Sequence, residues 1–248
     1  MKPVGPFWRY YGGKWRAAPR YPAPECKTIV EPFAGAAGYA CRYPWRQVVL
    51  VDKDPIIAGL WAYLIAASPA EILAIPDLPE GATVDDLPIC QEARWLVGFW
   101  CNLGTTQPGK RSGAWARDFG QDATNWAGWG FRARERISRD VPKIKHWRII
   151  HGDYFEAPDI EASWVIDPPY QTAAGRHYRF SDIDFQALGA WAMNRRGQVL
   201  AHDQEGADWM PWTHRAALKS TKGSSAEVYY HRSRNPRLFT LDPAPRPE

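Results

Sequence analysis

Five short apolar runs, each followed by glycine or acid chemistry, constrain the fold of this chain most. They are Thr28–Glu31, Gln47–Val51 with Asp52 behind it, Trp147–His151, Ser163–Ile166 and Gln198–Ala201. Each has the length and character of a buried strand. Helical patterns lie between them. Asp54-Pro55 pairs an N-cap carboxylate with proline at the first helical position, ahead of an apolar stripe of Ile57, Leu60, Trp61, Leu64 and Ile65. Ser68-Pro69-Ala70-Glu71 reads as a capping box. Further helices are expected over about Gln91–Leu103, stopped by Gly104, over 129–141, and from the Ser181/Asp184 caps to about Asn194. Strands alternating with helices predict a mostly parallel α/β sheet, Rossmann-like, with helices on both faces. Two β-like runs around Gly223-Ser224-Ser225 predict an antiparallel closing hairpin.

A chain of 248 residues, 45% of them hydrophobic, suffices for one large α/β domain carrying an insertion. The expected division is a core built from 1–90 and 146–248, with an inserted helical and loop region over 91–145. No apolar run reaches ~18 residues, so no membrane span is expected. The N-terminus lacks an apolar signal core, which argues against secretion. Cys26, Cys41, Cys90 and Cys101 show no metal spacing and read as reduced cytoplasmic thiols.

The net charge is +4, but it is unevenly spread. Residues 110–148 hold ten Lys/Arg against four Asp/Glu, a local +6. A basic excess confined to one segment suits contact with a polyanion, although a solvated helix face would look the same. Within it, Lys110, Arg111 and Arg117 are candidate phosphate or base contacts. Trp115, Trp126 and Trp129 either wedge into nucleic acid or, the favoured reading, pack a small core beneath the loop.

In open α/β sheets ligands bind beyond the carboxyl ends of the strands. The unusual residues of this chain fall there: Gly35 and Gly38, Asp52, Asp153, and Asp167. The turn Phe33-Ala34-Gly35-Ala36-Ala37-Gly38 lets backbone approach a ligand closely, and lacks the lysine of a phosphate loop. Asp52 is placed for ribose hydroxyls, whereas Asp54 has a capping role. In Asp167-Pro168-Pro169-Tyr170 the prolines remove two amide donors, which leaves a carboxylate and carbonyls as acceptors for an amino group, beside a ring able to stack on a base.

Taken together, these segments resemble the Dam-type, alpha-group DNA adenine methyltransferases over most of the chain. Tyr10-Tyr11-Gly12-Gly13-Lys14 is similar to their aromatic-x-Gly-Gly-Lys motif, Glu31–Gly35 to their EPFxG loop, Asp52-Lys53-Asp54 to their D-x-N/D, Gly152-Asp153-Tyr154 to their GDF-like segment, and Asp167–Tyr170 to their DPPY. There are departures. Ala37 stands at the second glycine of FxGxG, with Gly38 one place later, and Tyr10 replaces a frequent tryptophan. His202-Asp203 resembles a family pair after the fifth strand, for which a structural role is favoured.

The resemblance implies an S-adenosylmethionine-dependent transfer of methyl to the adenine amino group in double-stranded DNA, with 91–145 as target-recognition region. Tyr10 and Lys14 would border the methionine end of the cofactor and the target pocket. Phe33 and Gly35 would line the cofactor cleft. Asp52 would hold the ribose, Asp153 the cofactor's adenine amino group, and Tyr154 would pack beside that ring. Asp167 and the Pro168 carbonyl would accept from the target amino group of a flipped base, with Tyr170 stacked upon it. No metal is required by such chemistry. A monomer is expected, with a dimer left open. An RNA adenine or DNA cytosine amino group, or a catalytically silent nucleic-acid-binding relative, are the alternatives.

Overall fold

The computed structural model describes residues 2–102, 104–112, 128–220 and 223–234. Its strands are β1 (Thr28–Glu31), β2 (Gln47–Asp52), β3 (Arg148–His151), β4 (Ala162–Ile166), β5 (Gly197–Gln204), β6 (His214–Ser220) and β7 (Gly223–Arg232). Among the described residues the α-helices are α1 (Pro55–Ala66), α2 (Pro69–Ala74), α3 (Gln91–Cys101), α4 (Phe131–Asp140) and α5 (Phe185–Met193). One sheet runs in the order β3-β2-β1-β4-β5-β7-β6. The first five strands pair in parallel, β7 runs antiparallel to β5, and β6 antiparallel to β7. This is the expected Rossmann-like, mostly parallel sheet with its antiparallel closing hairpin. The chain's winding reverses between β1 and β4, and the crevice above that pair is where such a sheet takes a ligand.

Strand periodicity explains why both faces are covered. Alternate residues point to opposite sides. Ile29, Val48, Leu50, Val165 and Leu200 enter one core cluster, while Val30, Val49, Val51, Trp164, Ile166, Val199 and Ala201 enter the other. The first cluster is shared by α1, α3 and α4 through Leu60, Trp61, Leu64, Leu96, Phe99 and Ile137. Leu188 and Ala192 of α5 close the second. Each such large apolar side chain stabilises the fold by roughly 1.5–3 kcal/mol when fully buried. The two α-helices described in the 91–145 stretch, α3 and α4, are thus rooted in the core that α1 uses.

The capping chemistry is as the residues require. Asp54 accepts from the Ile56 amide at 2.9 Å, Ser68 and Glu71 form the reciprocal capping box, and Asp184 accepts from the Ala187 amide at 2.9 Å. Three expectations need correction. The fifth strand extends to Gln204, so His202 and Asp203 lie within it, paired with Tyr229 and Val228, rather than after it. Their polarity suggests a strand end, but pairing with β7 continues and buries both. Gly223-Ser224-Ser225 opens β7 instead of forming the turn, since the ladder closes on Ser220 opposite Gly223. The basic helix is shorter, Phe131–Asp140, and two of its arginines are used internally. Arg134 donates to the Ile75 carbonyl at 3.0 Å, and Arg136 donates to the Pro6 carbonyl at 2.7 Å while lying over the Trp100 ring. Trp129 donates to the Pro76 carbonyl at 2.9 Å, in accord with packing beneath the loop. Trp115, Arg117 and Trp126 lie outside the described residues. No helix among the described residues is long and apolar enough to cross a membrane.

Candidate active site

A cavity of about 270 Å³ opens at the carboxyl ends of the parallel strands. Its wall brings together Tyr10, Lys14, Phe33, Gly35, Asp52, Asp153, Tyr154 and Asp167, eight of the candidate residues read from sequence. Pro168 is buried and Tyr170 is half-buried, and neither lines this cavity. Lys110 and Arg111 do not line it either. Lys110 pairs with Asp85 at 2.7 Å, and the Arg111 carbonyl accepts from Asn102 at 2.8 Å.

The turn after β1 is fixed from three sides. Asp52, at the end of β2, accepts the Gly35 amide on Oδ2 and the Asp54 amide on Oδ1, both at 2.9 Å. Burial pushes its carboxyl up to about 6, against the pull of those two amides. The Gly35 carbonyl accepts Nε1 of the fully buried Trp61 at 2.7 Å. Gly38 carries the N-terminal motif: a Cβ there would lie 2.5 Å from the Trp15 amide nitrogen and 2.8 Å from that of Lys14. Only glycine lets the Lys14–Trp15 backbone sit directly on this turn. The sequence therefore joins its first motif to its second by a missing side chain.

On the opposite wall Phe33 and Tyr154 stack at 5.6 Å with 29° between their planes. Asp153 caps the short turn beginning at Tyr154, one carboxylate oxygen accepting the Tyr154 amide at 2.7 Å. Its other oxygen accepts from Lys53 at 2.9 Å. Tyr10 is wedged between Phe99 and Tyr178, and burial, then Asp52, raise its phenol.

Asp167 sits where β4 ends. Lys14 Nζ lies 2.8 Å from its Oδ1 and donates to the Tyr170 hydroxyl at 2.8 Å. Burial pushes the Asp167 carboxyl up to about 6, with Lys14 opposing. Burial also works against the Lys14 ammonium, but Asp167, Tyr170 and Glu227 outweigh it and hold the group well above its usual range. At neutral pH the pair is charged, and the carboxylate lines the cavity.

Several polar residues of this region stand outside the candidate residues read from sequence. Glu227 of β7, Tyr21, Glu31 and Tyr178 all approach it. Glu31 is buried, accepts the Ala40 amide at 2.7 Å, and is pushed up to about 8 mainly by burial. Tyr178 donates to the Tyr11 carbonyl at 3.0 Å and so ties the loop after Tyr170 to the N-terminal motif. Glu31 carries a signal in the sequence, as an acid ending an otherwise apolar strand. Glu227 carries none, because it lies on an edge hairpin far along the chain.

No family model and no curated protein matches the chain. Among solved structures it is similar to the rRNA methyltransferase aviRa from Streptomyces viridochromogenes, at 18% identity and TM-score 0.42, over 92% of this chain and 88% of that one. It is also similar to the putative methylase HI0767 from Haemophilus influenzae, at 8% identity and TM-score 0.31, over 83% of this chain and 79% of the other. At these values neither likeness assigns a substrate.

Proposed function

We propose that this protein transfers a methyl group from S-adenosylmethionine to the exocyclic amino group of adenine in double-stranded DNA, after flipping the base from the helix. The observation that carries the reading is one shared cavity: Asp167 of the DPPY segment lies on the same wall system as Gly35, Asp52 and Asp153.

The cavity's residues fit a nucleoside bearing an amino-acid arm. Carboxylates at two strand ends can accept hydroxyl and amino protons, two aromatic rings offer flat faces, and a glycine turn leaves room that a Cβ would fill. When bound, the cofactor supplies a sulfonium methyl already activated for transfer. Asp52 would hold the ribose, Asp153 the adenine amino group once released by Lys53, and Phe33 and Tyr154 would flank the ring. Tyr10 and Lys14 would border the reacting end.

The protein's task is then alignment and charge. Asp167 and the Pro168 carbonyl would accept the two amino hydrogens of the target, orient its nitrogen and stabilise positive charge as it develops. As the N–CH3 bond forms the sulfonium S–CH3 bond breaks, S-adenosylhomocysteine is the leaving group, and one amino proton passes by way of Asp167 to solvent. Tyr170, whose hydroxyl is held by Lys14 and Glu227, would stack on the flipped base beside Asp167, outside the lining of the cavity. Residues 91–145 would choose the target, with Lys110, Arg111 and Arg117 as contacts.

Tritium transfer from labelled cofactor onto DNA and RNA, followed by nucleoside analysis, tests the reading. N6-methyladenine in DNA is expected. Asp167→Ala should abolish transfer while calorimetric binding of S-adenosylhomocysteine largely survives. Label appearing only in RNA, or full turnover by that variant, would overturn it.

A further inference from the structure

We propose that Glu227 of β7 is a positioning residue for the transfer reaction: it holds Lys14 and the Tyr170 hydroxyl so that Lys14 is shared with Asp167 and not surrendered to it. The inference rests on the methyl-transfer reading above.

Glu227 is 1% exposed, and a carboxylate that deeply buried is costly unless donors converge on it. Three do. Tyr170 donates to Oε1 at 2.9 Å, Lys14 Nζ stands 3.4 Å from the same oxygen, and Tyr21 donates to Oε2. Lys14 is therefore one ammonium between two carboxylates, 2.8 Å from Asp167 and 3.4 Å from Glu227. The Gly12 carbonyl also accepts from Lys14 at 3.2 Å. With Glu227 present, part of the ammonium's charge is drawn to the β7 side. Asp167 thus keeps acceptor strength for an amino group in the cavity, and Tyr170 keeps its orientation.

Other titratable groups face this cluster. On β5, buried His202 lies 4.4 Å from the Tyr21 ring, and both its ring nitrogens lack a hydrogen-bond partner among the described residues. Burial lowers its pKa to about 4, so it is neutral and does not compete for Glu227. Asp203 is occupied by the Trp209 indole at 2.6 Å and by the Gln204 and Gln171 amides. Glu31 is held by the Ala40 amide. Burial works against the Glu227 carboxylate, but Lys14 together with the Tyr21 and Tyr170 hydroxyls and the other groups that face it outweighs burial and holds the carboxyl below its usual range.

Glu227→Gln retains size and an acceptor oxygen but removes the charge. In the full-length protein its kcat should fall roughly 10- to 100-fold, with KM for S-adenosylmethionine within about twofold. The acid limb of its kcat profile should move to lower pH, because one negative neighbour of Asp167 has gone. Glu227→Asp should keep the acid limb of the wild type. Tyr21→Phe, which keeps the charge and loses one donor, should lower kcat about threefold or more without moving KM. A Glu227→Gln enzyme with wild-type kcat and an unmoved acid limb would overturn the inference. If that variant fails to bind S-adenosylhomocysteine and so is not folded, wild-type kcat in Tyr21→Phe would overturn it instead. A wild-type protein that binds cofactor but transfers no methyl to any nucleic acid would overturn the parent reading, and this one with it.

Discussion

A Cβ placed on Gly35 would lie 3.1 Å from Cε1 of Tyr10, so the glycine turn and the N-terminal aromatic are in contact across the cleft. Gly35 also takes φ +43°, in the left-handed region. Two places on, Ala37 takes φ +45° although it carries a side chain and is fully buried. The backbone of the resembled glycine pair is therefore kept where the second glycine is not. A left-handed non-glycine residue costs roughly 1–2 kcal/mol. Gly35→Ala is expected to destabilise the fold by about that amount, through φ and through pressure on the Tyr10 ring, and to weaken S-adenosylhomocysteine binding. Ala37→Gly is expected to be neutral, or stabilising by up to about 1 kcal/mol, as relief of strain meets the added chain entropy of glycine. Urea unfolding of the two variants checks this, and equal destabilisation by both would contradict it.

The part of the site legible from sequence is the part built at strand ends. Gly35, Asp52, Asp153 and Asp167 follow apolar runs of strand length, and parallel pairing of β1, β2, β3 and β4 brings those ends together. Position along the chain is then enough to predict position in space. Glu227 and Tyr21 follow no such rule. Glu227 reaches the site because β7 pairs with β5 in a register that sets it opposite Gln204, and Tyr21 because an irregular segment folds back beneath it. The basic excess over 110–148 does not resolve into individual roles for a related reason: charge totals do not show that Arg136 and Arg134 direct their guanidinium groups to backbone carbonyls.

Glu31 makes the folding stability depend on pH. Its carboxyl, ordinarily near 4.5, is pushed up to about 8 by burial, with the Ala40 amide opposing. A carboxyl raised on folding binds its proton more tightly in the native state. Its contribution is full below about 4.5 and is lost as pH rises through about 8. The slope from one such group reaches at most about 1.4 kcal/mol per pH unit. Glu31→Gln should flatten the decline between about pH 5 and 8, so that the variant gains on the wild type as pH rises. Urea unfolding at each pH measures this. A constant offset between the two proteins would show that Glu31 does not titrate in that window.

Lys53 and Asp153 form a pair across the cavity rim, with Lys53 about half exposed. An exposed partner is readily exchanged for another donor. If Asp153 takes the cofactor's adenine amino group, Lys53 must yield its place. Lys53→Ala is then expected to leave S-adenosylhomocysteine affinity unchanged or improved by a few-fold, whereas Asp153→Ala should weaken it about tenfold or more. Calorimetry separates the two. A Lys53→Ala protein that binds as poorly as Asp153→Ala would mean that the ammonium itself, or the rim it braces, holds the ligand.

The pairing of Lys110 with Asp85 is of the same kind but faces outward, where both side chains are exposed. Surface pairs of this type are worth about 0–1 kcal/mol, so a phosphate can displace the carboxylate at little cost. The backbone beneath them is held in place, since the Val84 amide donates to the Lys110 carbonyl at 2.9 Å and Asn102 donates to that of Arg111. Two cations on a fixed strap suit binding to the DNA backbone better than base reading. The Lys110→Ala/Arg111→Ala double variant should therefore bind all DNA sequences more weakly by similar factors. The slope of log affinity against log salt should become shallower by about one to two, one for each phosphate that the variant leaves unneutralised. Filter binding across a salt series measures that slope. An unchanged slope would place these two residues off the DNA and leave phosphate binding to other cations on the cleft face.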